Sequence, residues 1–163
     1  MTVGRPLPTG EVGRIWMRRP EGAPRTYRYL GAEARADAHG WETLGDLGHF
    51  DRDGYLYLAD RDADMFTVGG VNVYPAEIEA ALLEHPSVID ACVIGLPDDE
   101  LGSLPHALVQ LTPDAESGAL HEFLRSRLAP YKRPAAFERV DGPLHNEAGK
   151  VRRSQLRAER IRA

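Results

Sequence analysis

The sequence predicts an α+β protein in which a β-rich first block leads into a compact α+β module. Up to about residue 60, short strand-like segments alternate with turns, prolines interrupt the chain, and no long amphipathic helix occurs. Beyond residue 60, helical apolar spacing alternates with short apolar runs typical of buried strands. We therefore expect two domains, at residues 1–60 and 61–163. The first has the pattern of an incomplete barrel or sheet edge and is not expected to be self-sufficient.

Four strands are predicted in the first block. They lie at residues 13–18, 26–30, 41–50 and 55–59. A turn at residues 51–54 precedes the last of them, and its Asp-x-Asp-Gly string invites comparison with a calcium loop. In the register that an EF-hand requires, the twelfth position is Asp60 instead of glutamate, so we expect no metal site.

The second block begins with a β-hairpin and a helix. Gly69 and Gly70 lie at the centre of a hairpin over residues 66–73, because both accept the positive φ angles of a two-residue primed turn. Pro75 then suits the first position of a helix, and Pro86 ends it.

The rest of the second block continues the alternation of strands and helices. Glu77 and Glu79 favour the positive end of the first helix dipole. Two buried strands, an amphipathic helix, a short strand and a last helix follow, at residues 88–96, 106–111, 117–128, 137–140 and 154–161. This order is that of a compact α+β domain.

Charge and cysteine content exclude several classes of protein. The net charge is −5, so no overall field favours nucleic acid, and the arginines at the C-terminal end are interpreted as the solvated face of a helix. No apolar run approaches the ~20 residues of a membrane span, and the N-terminus does not resemble a signal peptide. Cys92 is the only cysteine and is expected to pack as a buried hydrophobe. We expect a cytoplasmic protein.

Six short motifs, in this order and at these spacings, resemble the final third of an acyl-CoA synthetase of the adenylate-forming superfamily. They are Gly45-Asp46-Leu47, Asp60-Arg61, Val68-Gly69-Gly70-Val71, Pro75 to Glu79, Tyr131-Lys132-Arg133-Pro134 and Asn146 to Arg153. The resemblance implies ATP, CoA and a carboxylic acid as substrates, Mg²⁺ accompanying ATP, and no tightly bound cofactor. It also implies that residues 1–60 end a large N-terminal domain and that residues 61–163 form the small C-terminal lid domain.

The resemblance gives Lys150 the role of the adenylation lysine. Bringing a carboxylate to the α-phosphate of ATP joins two anions, and a lysine aimed at the developing charge stabilises that step. Gly149 supplies backbone freedom, and the Asn146 side chain is suited to brace the turn. The alternative for Lys150 is an ordinary lysine on a surface loop.

Two nucleotide contacts are implied as well. Asp46 corresponds to the aspartate that grips the ribose of ATP, and a turn aspartate that caps its own backbone is the alternative. Arg61 corresponds to an arginine on the ribose or phosphate. Its alternative is an ion pair with a neighbouring aspartate, namely Asp60, Asp62 or Asp64.

The hairpin and the hinge complete the implied site. Gly69 and Gly70 correspond to a hairpin that lines the pantetheine tunnel, or they serve the turn alone. The hinge falls at residues 60–64, where relatives commonly carry Asp or Lys and this chain has Ala63 beside Asp62. Lys132 and Arg133 are interpreted as a solvated charged turn, with contacts to CoA phosphates as the alternative.

No glycine-rich phosphate loop occurs in these 163 residues. We therefore expect a C-terminal part of such a ligase, connected with fatty acid metabolism and inactive when alone; the sequence does not specify the acid. The alternative is an interaction module derived from a ligase, without catalysis, that dimerises through exposed strand edges.

Overall fold

The structure is a computed structural model that describes residues 4–24 and 35–162. It divides into two compact units, residues 1–63 and residues 64–163. The predicted strand at residues 26–30 lies outside the described residues. Within the described ranges, no helix is both long and apolar enough to cross a membrane.

Short antiparallel strands make up the described part of the first unit. One sheet has the order β1-β5-β6, with β1 (Gly13–Arg14), β5 (Asp46–Phe50) and β6 (Leu56–Arg61). The other has the order β2-β4-β3, with β2 (Met17–Arg18), β3 (Arg35–Ala36) and β4 (Trp41–Thr43).

Two of the predicted strands were too long. The segment at 41–50 breaks at Gly45, whose φ of 84° is a left-handed conformation that directs β4 and β5 into different sheets. The segment at 13–18 is likewise divided between the two sheets. The turn at 51–54 is confirmed, because the Asp51 carboxylate accepts hydrogen bonds from the backbone of Asp53 and Tyr55.

The second unit has the predicted order of elements. The hairpin strands are β7 (Phe66–Val68) and β8 (Val71–Val73), and the helix after them is α1 (Pro75–Leu83). A central sheet of order β11-β10-β9 contains β9 (Val88–Asp98), β10 (Gly102–Leu111) and β11 (Ala136–Arg139). The remaining helices are α2 (Gly118–Arg125) and α3 (Arg153–Ile161).

Three elements of the second unit differ from their predicted bounds by more than one residue. The strands β9 and β10 run further than residues 88–96 and 106–111, so that only a short turn after Asp98 separates them, and Pro97 pairs with Ser103. Helix α2 is shorter than residues 117–128, yet Leu128 remains buried beyond its end. The backbone N–H of Leu128 bonds back to Leu124, which keeps the chain close to the helix after it.

The central sheet is covered on both faces. One face packs against α1, α2 and the hairpin, through Ala91, Val93, Ala107 and Val109. The opposite face presents Cys92, Ile94 and Leu108 to a smaller cluster that includes Leu144, Val151 and Leu156. Because successive residues of a strand point to opposite faces, both sets must be apolar, which explains the continuous apolar runs in the sequence.

A glycine in β9 fits the hairpin against the sheet. A Cβ on Gly95 would lie 2.5 Å from Cγ of Phe66, closer than any ordinary contact. We therefore expect Gly95→Ala to lower the free energy of unfolding of the second unit by about 1–3 kcal/mol, the usual cost of overpacking. Urea denaturation followed by far-ultraviolet circular dichroism measures it, because all described helices belong to this unit.

Gly118→Ala is the matched control for that measurement. Gly118 begins α2 with open space around it, and alanine favours helix, so the variant should be as stable as the parent chain or more so. Equal stabilities of Gly95→Ala and Gly118→Ala would contradict the packing account.

Candidate functional site

The loop that carries Lys150 is closed by Asn146. The Asn146 side-chain oxygen accepts hydrogen bonds from the backbone N–H groups of Ala148 (3.0 Å) and Lys150 (2.9 Å). The backbone N–H of Asn146 donates to the carbonyl of Lys150 at 3.0 Å, and Gly149 has a φ of 67°. The predicted bracing by Asn146 and the need for glycine are therefore confirmed.

Asp90 on β9 holds the start of this loop. Its Oδ2 accepts hydrogen bonds from the backbone N–H groups of Leu144 and His145, and its Oδ1 lies 2.7 Å from Nδ1 of His145. Burial acts to raise the pKa of Asp90, but the hydrogen bonds from His145 and Leu144 outweigh it, and the pKa lies below its ordinary value. The loop is thus fastened to the sheet by an ionised carboxylate.

The arginines that follow the loop were predicted to form a solvated basic face. For three of them this prediction was wrong. Arg153 binds Glu79, Arg157 donates to the carbonyl of Gly95 at 2.7 Å, and Arg160 binds Glu138. Three arginine side chains of α3 therefore bind groups of the second unit. The sequence interpretation missed this because the partners lie 22 to 74 residues away along the chain.

Lys150 is the more exposed of the two lysines in the sequence. Lys132 is largely covered and lies 2.6 Å from the Glu77 carboxylate. In residues 4–24 and 35–162, the Lys150 ammonium has no hydrogen-bond or ion-pair partner. A surface groove of about 420 Å³ lies beside it, between residues 143–146 and the first turns of α3. Among the described residues, the Lys150 ammonium is thus an unpaired charge at the edge of an open groove.

Lys132 and Arg133 do not form the solvated turn that the sequence suggested. Lys132 is ion-paired with Glu77, and Arg133 donates to the carbonyls of Leu128 and Arg125 at 3.0 Å each. Both side chains therefore help to fix the segment after α2.

In the first unit, the two predicted nucleotide contacts meet each other. Asp46 on β5 is directly opposite Arg61 on β6, and Arg61 Nε lies 2.9 Å from Asp46 Oδ1. The sequence suggested Asp60, Asp62 or Asp64 as the ion-pair partner of Arg61, so the observed partner is a correction to that alternative. Arg61 is mostly exposed, and such a pair contributes little to stability. It does place a carboxylate and a guanidinium side by side.

The hairpin has the predicted turn. Gly69 and Gly70 have φ angles of 55° and 81°, and the strands pair from Phe66 with Val73 to Val68 with Val71. The N–H of Gly69 donates to the carbonyl of Leu101 at 2.9 Å, which joins this turn to the β9–β10 turn. The tunnel role of both glycines remains a prediction.

The predicted hinge residues lie at the boundary of the two units. Asp62 belongs to the first unit, where its carboxylate binds Arg14 at 2.6 Å. Ala63 is exposed and is the last residue of that unit. Asp64 begins the second unit and binds Arg153 at 3.1 Å. Ala63 therefore lies between two aspartates that are each held by an arginine.

Cys92 is fully buried, as predicted, and burial raises the pKa of its thiol to about 12. A nucleophilic role is thereby excluded. Among the described residues, no group of three or more His, Cys, Asp or Glu side chains is arranged to hold a metal ion.

Comparison with known proteins places this geometry in a family. Residues 77–150 match the family described as the AMP-binding enzyme C-terminal domain. The chain is 44% identical over 153 residues to a 2-succinylbenzoate--CoA ligase of Bacillus velezensis, covering 94% of this chain and 31% of that protein. It is 42% identical over 161 residues to the fatty acid--[acyl-carrier-protein] ligase ScoC of Streptomyces coeruleorubidus, covering 94% and 30%.

Solved structures that are similar to this chain are ligases of the same kind as these sequence relatives. The o-succinylbenzoate CoA synthetase MenE of Bacillus subtilis, in complex with the acyl-adenylate OSB-AMP, superposes with a TM-score of 0.80 at 37% identity, covering 92% of this chain and 31% of that one. The chain contains the C-terminal domain of the AMP-binding enzymes. ATP-bound MatB of Rhodopseudomonas palustris gives a TM-score of 0.79 at 31% identity, covering 95% and 31%.

The match to the C-terminal domain of adenylate-forming ligases confirms the predicted fold. The chain spans about a third of the length of the curated relatives it matches.

Sequence reasoning missed the carboxylates that hold the lysine loop, Asp90 and Glu79. Glu79 is buried and accepts a hydrogen bond from the backbone of Val93, in addition to its place in the first half of α1. The available signal in the sequence was that Glu79 shares the apolar face of α1 with Ile78 and Leu82.

We expect stability to depend on pH through Asp90. Since its pKa is lower when folded, its contribution is present above the unfolded value of about 3.9 and is lost as pH falls through the folded value. Asp90→Asn removes that contribution. The stability difference between parent and variant, measured by urea titration from pH 7 down to about pH 2.5, should therefore shrink below about pH 4.

Glu138, whose pKa is also lowered, chiefly by Arg160, is unchanged in both proteins and so cancels in this comparison. A difference that stays constant over the whole pH range would contradict the assignment to Asp90.

Proposed function

We propose that this chain acts as the C-terminal part of an acid–thiol ligase that forms acyl-AMP from ATP and a carboxylic acid. The observation that carries the proposal is Lys150, an uncommitted cation on an Asn146-braced loop within a domain of the AMP-binding enzyme family. In the first half-reaction, a carboxylate oxygen attacks the α-phosphorus and pyrophosphate leaves. In the second, a thiol sulfur attacks the acyl carbonyl and AMP leaves.

The chain's own residues supply binding and charge stabilisation in this scheme. Lys150 contacts the oxygens that gain charge when the carboxylate meets the α-phosphate. Asp46 accepts hydrogen bonds from the ribose hydroxyls, and Arg61, which lies beside it, contacts the ribose or phosphate. Mg²⁺ accompanies ATP as part of the substrate, as in the complex of the Bacillus subtilis MenE with ATP and magnesium ion.

We propose CoA as the thiol acceptor. The 2-succinylbenzoate--CoA ligase and the o-succinylbenzoate CoA synthetase MenE are named for CoA, whereas ScoC is named for an acyl-carrier protein. Gly69 and Gly70 then line the path of the pantetheine arm, where missing side chains let a thin ligand pass against the backbone. A cytoplasmic location, supported by the buried thiol of Cys92, also belongs to this proposal.

The names of the relatives give several candidate acids. By their names, relatives act on 2-succinylbenzoate and on fatty acids, and a rice protein is named 4-coumarate--CoA ligase-like 9. A place in fatty acid metabolism rests on ScoC alone among these names.

A domain exchange tests the proposal. Residues of this chain replace the matching third of the Bacillus subtilis MenE, to which they are 37% identical. We expect the fusion to release pyrophosphate from ATP in the presence of 2-succinylbenzoate and to form the CoA thioester. The 163 residues alone should do neither, because they contain no phosphate loop.

A MenE truncated before the exchanged third is the control for the fusion. If the fusion folds and is no more active than this truncated protein, the proposal is wrong. Pyrophosphate release by the 163-residue chain alone would contradict the second expectation.

One observation favours the alternative of an interaction module. In the part of the chain that the structure describes, strand β6 is at the edge of its sheet. With the residue before it, this strand exposes Tyr55 and Leu58 by 68% and 70%, next to Tyr57. A homodimer through this edge would cover them. Analytical ultracentrifugation measures whether the 163-residue chain dimerises. A dimer together with an inactive fusion would favour the interaction module, and a monomer together with an active fusion would favour the ligase.

A further inference from the structure

Arg153 makes the most extensive side-chain ion pair near the lysine loop. Its Nη2 lies 2.9 Å and 2.7 Å from the two carboxylate oxygens of Glu79, and its Nη1 lies 3.1 Å from Oδ2 of Asp64. The three side chains are only 18%, 10% and 24% exposed. A planar guanidinium suits such a fork, and a lysine could not reproduce it.

Glu79 is itself held by the core. Its Oε1 accepts a hydrogen bond of 2.7 Å from the backbone N–H of Val93, a fully buried residue of β9. An ionised carboxylate in this position requires a charged partner, since leaving it unpaired is strongly unfavourable. The position of the Arg153 guanidinium is therefore fixed by α1 and the sheet together.

This fixed point is close to Lys150 along the chain. Arg153 begins α3 and follows Lys150 by three residues, a span of at most about 11 Å when fully extended. Val151, between them, packs into the apolar cluster on the sheet. On the other side of Lys150, Asn146 and Asp90 hold the loop. Arg153 is thus the charged anchor on the C-terminal side of the lysine.

The third contact of Arg153 reaches the first residue of the second unit. Asp64 follows Ala63, the residue between the two units. We propose that Arg153 is a positioning residue that fixes the Lys150 loop to the start of the second unit, so that the lysine follows any reorientation of Asp64. Its meaning for catalysis rests on the proposed function; its geometry does not.

The competing account is that Arg153 merely stabilises α3, and the same helix provides a matched control. Arg160 also forms an ion pair with both oxygens of one glutamate, Glu138, and its side chain is 19% exposed. It connects α3 to β11 and lies about two turns further from the loop. Arg153→Gln and Arg160→Gln therefore remove similar interactions at different distances from Lys150.

The test uses the ¹⁵N-labelled 163-residue chain and nuclear magnetic resonance. In Arg153→Gln, we expect the amide signals of Ala148, Gly149 and Lys150 to shift and their heteronuclear NOE values to fall. In Arg160→Gln, these signals should stay as in the parent chain. Arg153→Lys, which keeps the charge but loses the fork, should give an intermediate result.

Asp64→Asn is a second variant that leaves the pair between Arg153 and Glu79 in place. We expect it to shift the Lys150 amide signal with the fold retained. The proposal is overturned if Asp64→Asn leaves the loop signals unchanged, or if Arg153→Gln and Arg160→Gln affect them equally. If Arg153→Gln does not fold, Asp64→Asn and Arg153→Lys decide.

These measurements need no ligase activity, so they separate this inference from the proposed function. In the MenE fusion, Arg153→Gln should lower kcat for acyl-AMP formation by about tenfold or more with KM for ATP nearly unchanged, as expected when a reacting group is misplaced. If the loop signals of the 163-residue chain respond as expected while the folded MenE fusion is inactive, the proposed function is wrong and the positioning role stands.

Discussion

Lys150→Ala slows acyl-AMP formation by about 10²–10³-fold in the active fusion, the scale of losing one charge-stabilising donor. This is the expected result because Lys150 carries an ammonium without a partner among the described residues and lies on a braced loop. In the proposed mechanism, its charge is needed only where the carboxylate meets the α-phosphate. The same variant should convert supplied acyl-AMP and CoA to thioester at nearly the parent rate.

Lys132→Ala is the control, because Lys132 is the only other lysine in the sequence and is paired with Glu77. It should leave acyl-AMP formation within a few-fold of the parent. Pyrophosphate exchange measures the first half-reaction, and thioester formation from synthetic acyl-AMP measures the second. Equal loss of both half-reactions in Lys150→Ala would show that the loop serves folding more than chemistry.

Gly69→Leu should have the opposite effect, slowing thioester formation by about 10²-fold, as misplacement of a reacting group does. Two physical causes act together. Gly69 has a φ of 55°, which leucine adopts only with strain, and a Cβ there would already touch the Leu101 side chain at 3.4 Å. The side chain would also narrow the proposed path of the pantetheine arm. Formation of acyl-AMP should be nearly unchanged.

Gly54→Leu controls for backbone strain, because Gly54 has a φ of 84° and nothing within 4 Å of its Cβ position. It should not separate the two half-reactions. If Gly69→Leu behaves like Gly54→Leu, the glycine pair serves the turn alone and the tunnel role is wrong.

The hairpin and α1 could be predicted because a few residues specify their backbone locally. Gly69 and Gly70 take the positive φ angles that the turn needs, and Pro75 occupies the first helical position. The strand break at Gly45 was missed, although a single residue specifies it as well. Gly45 was interpreted as a residue within a strand, although glycine in a strand is often the point where the chain bends.

Long-range ion pairs could not be predicted. The arginines of α3 have the spacing of a solvated face, and nothing near them in sequence indicates Glu79 or Glu138 as partners. The pairing of Asp46 with Arg61 likewise depends on the β5–β6 register, in which these two residues lie opposite each other. For the candidate site, the turn of the lysine loop was therefore predictable, but its attachment to the sheet was not.

The two aspartates beside Ala63 have a mechanical consequence. Asp62 is bound to Arg14 and Asp64 to Arg153, so the backbone torsions that are free of side-chain restraint are few and centre on one residue. We therefore propose that Ala63 is the hinge, because hinges are a few residues that absorb large changes in φ and ψ, unlike a long flexible linker. The methyl group of Ala63 adds little steric barrier to those rotations. A bulkier residue at position 63 would narrow the allowed φ and ψ and so restrict the proposed hinge.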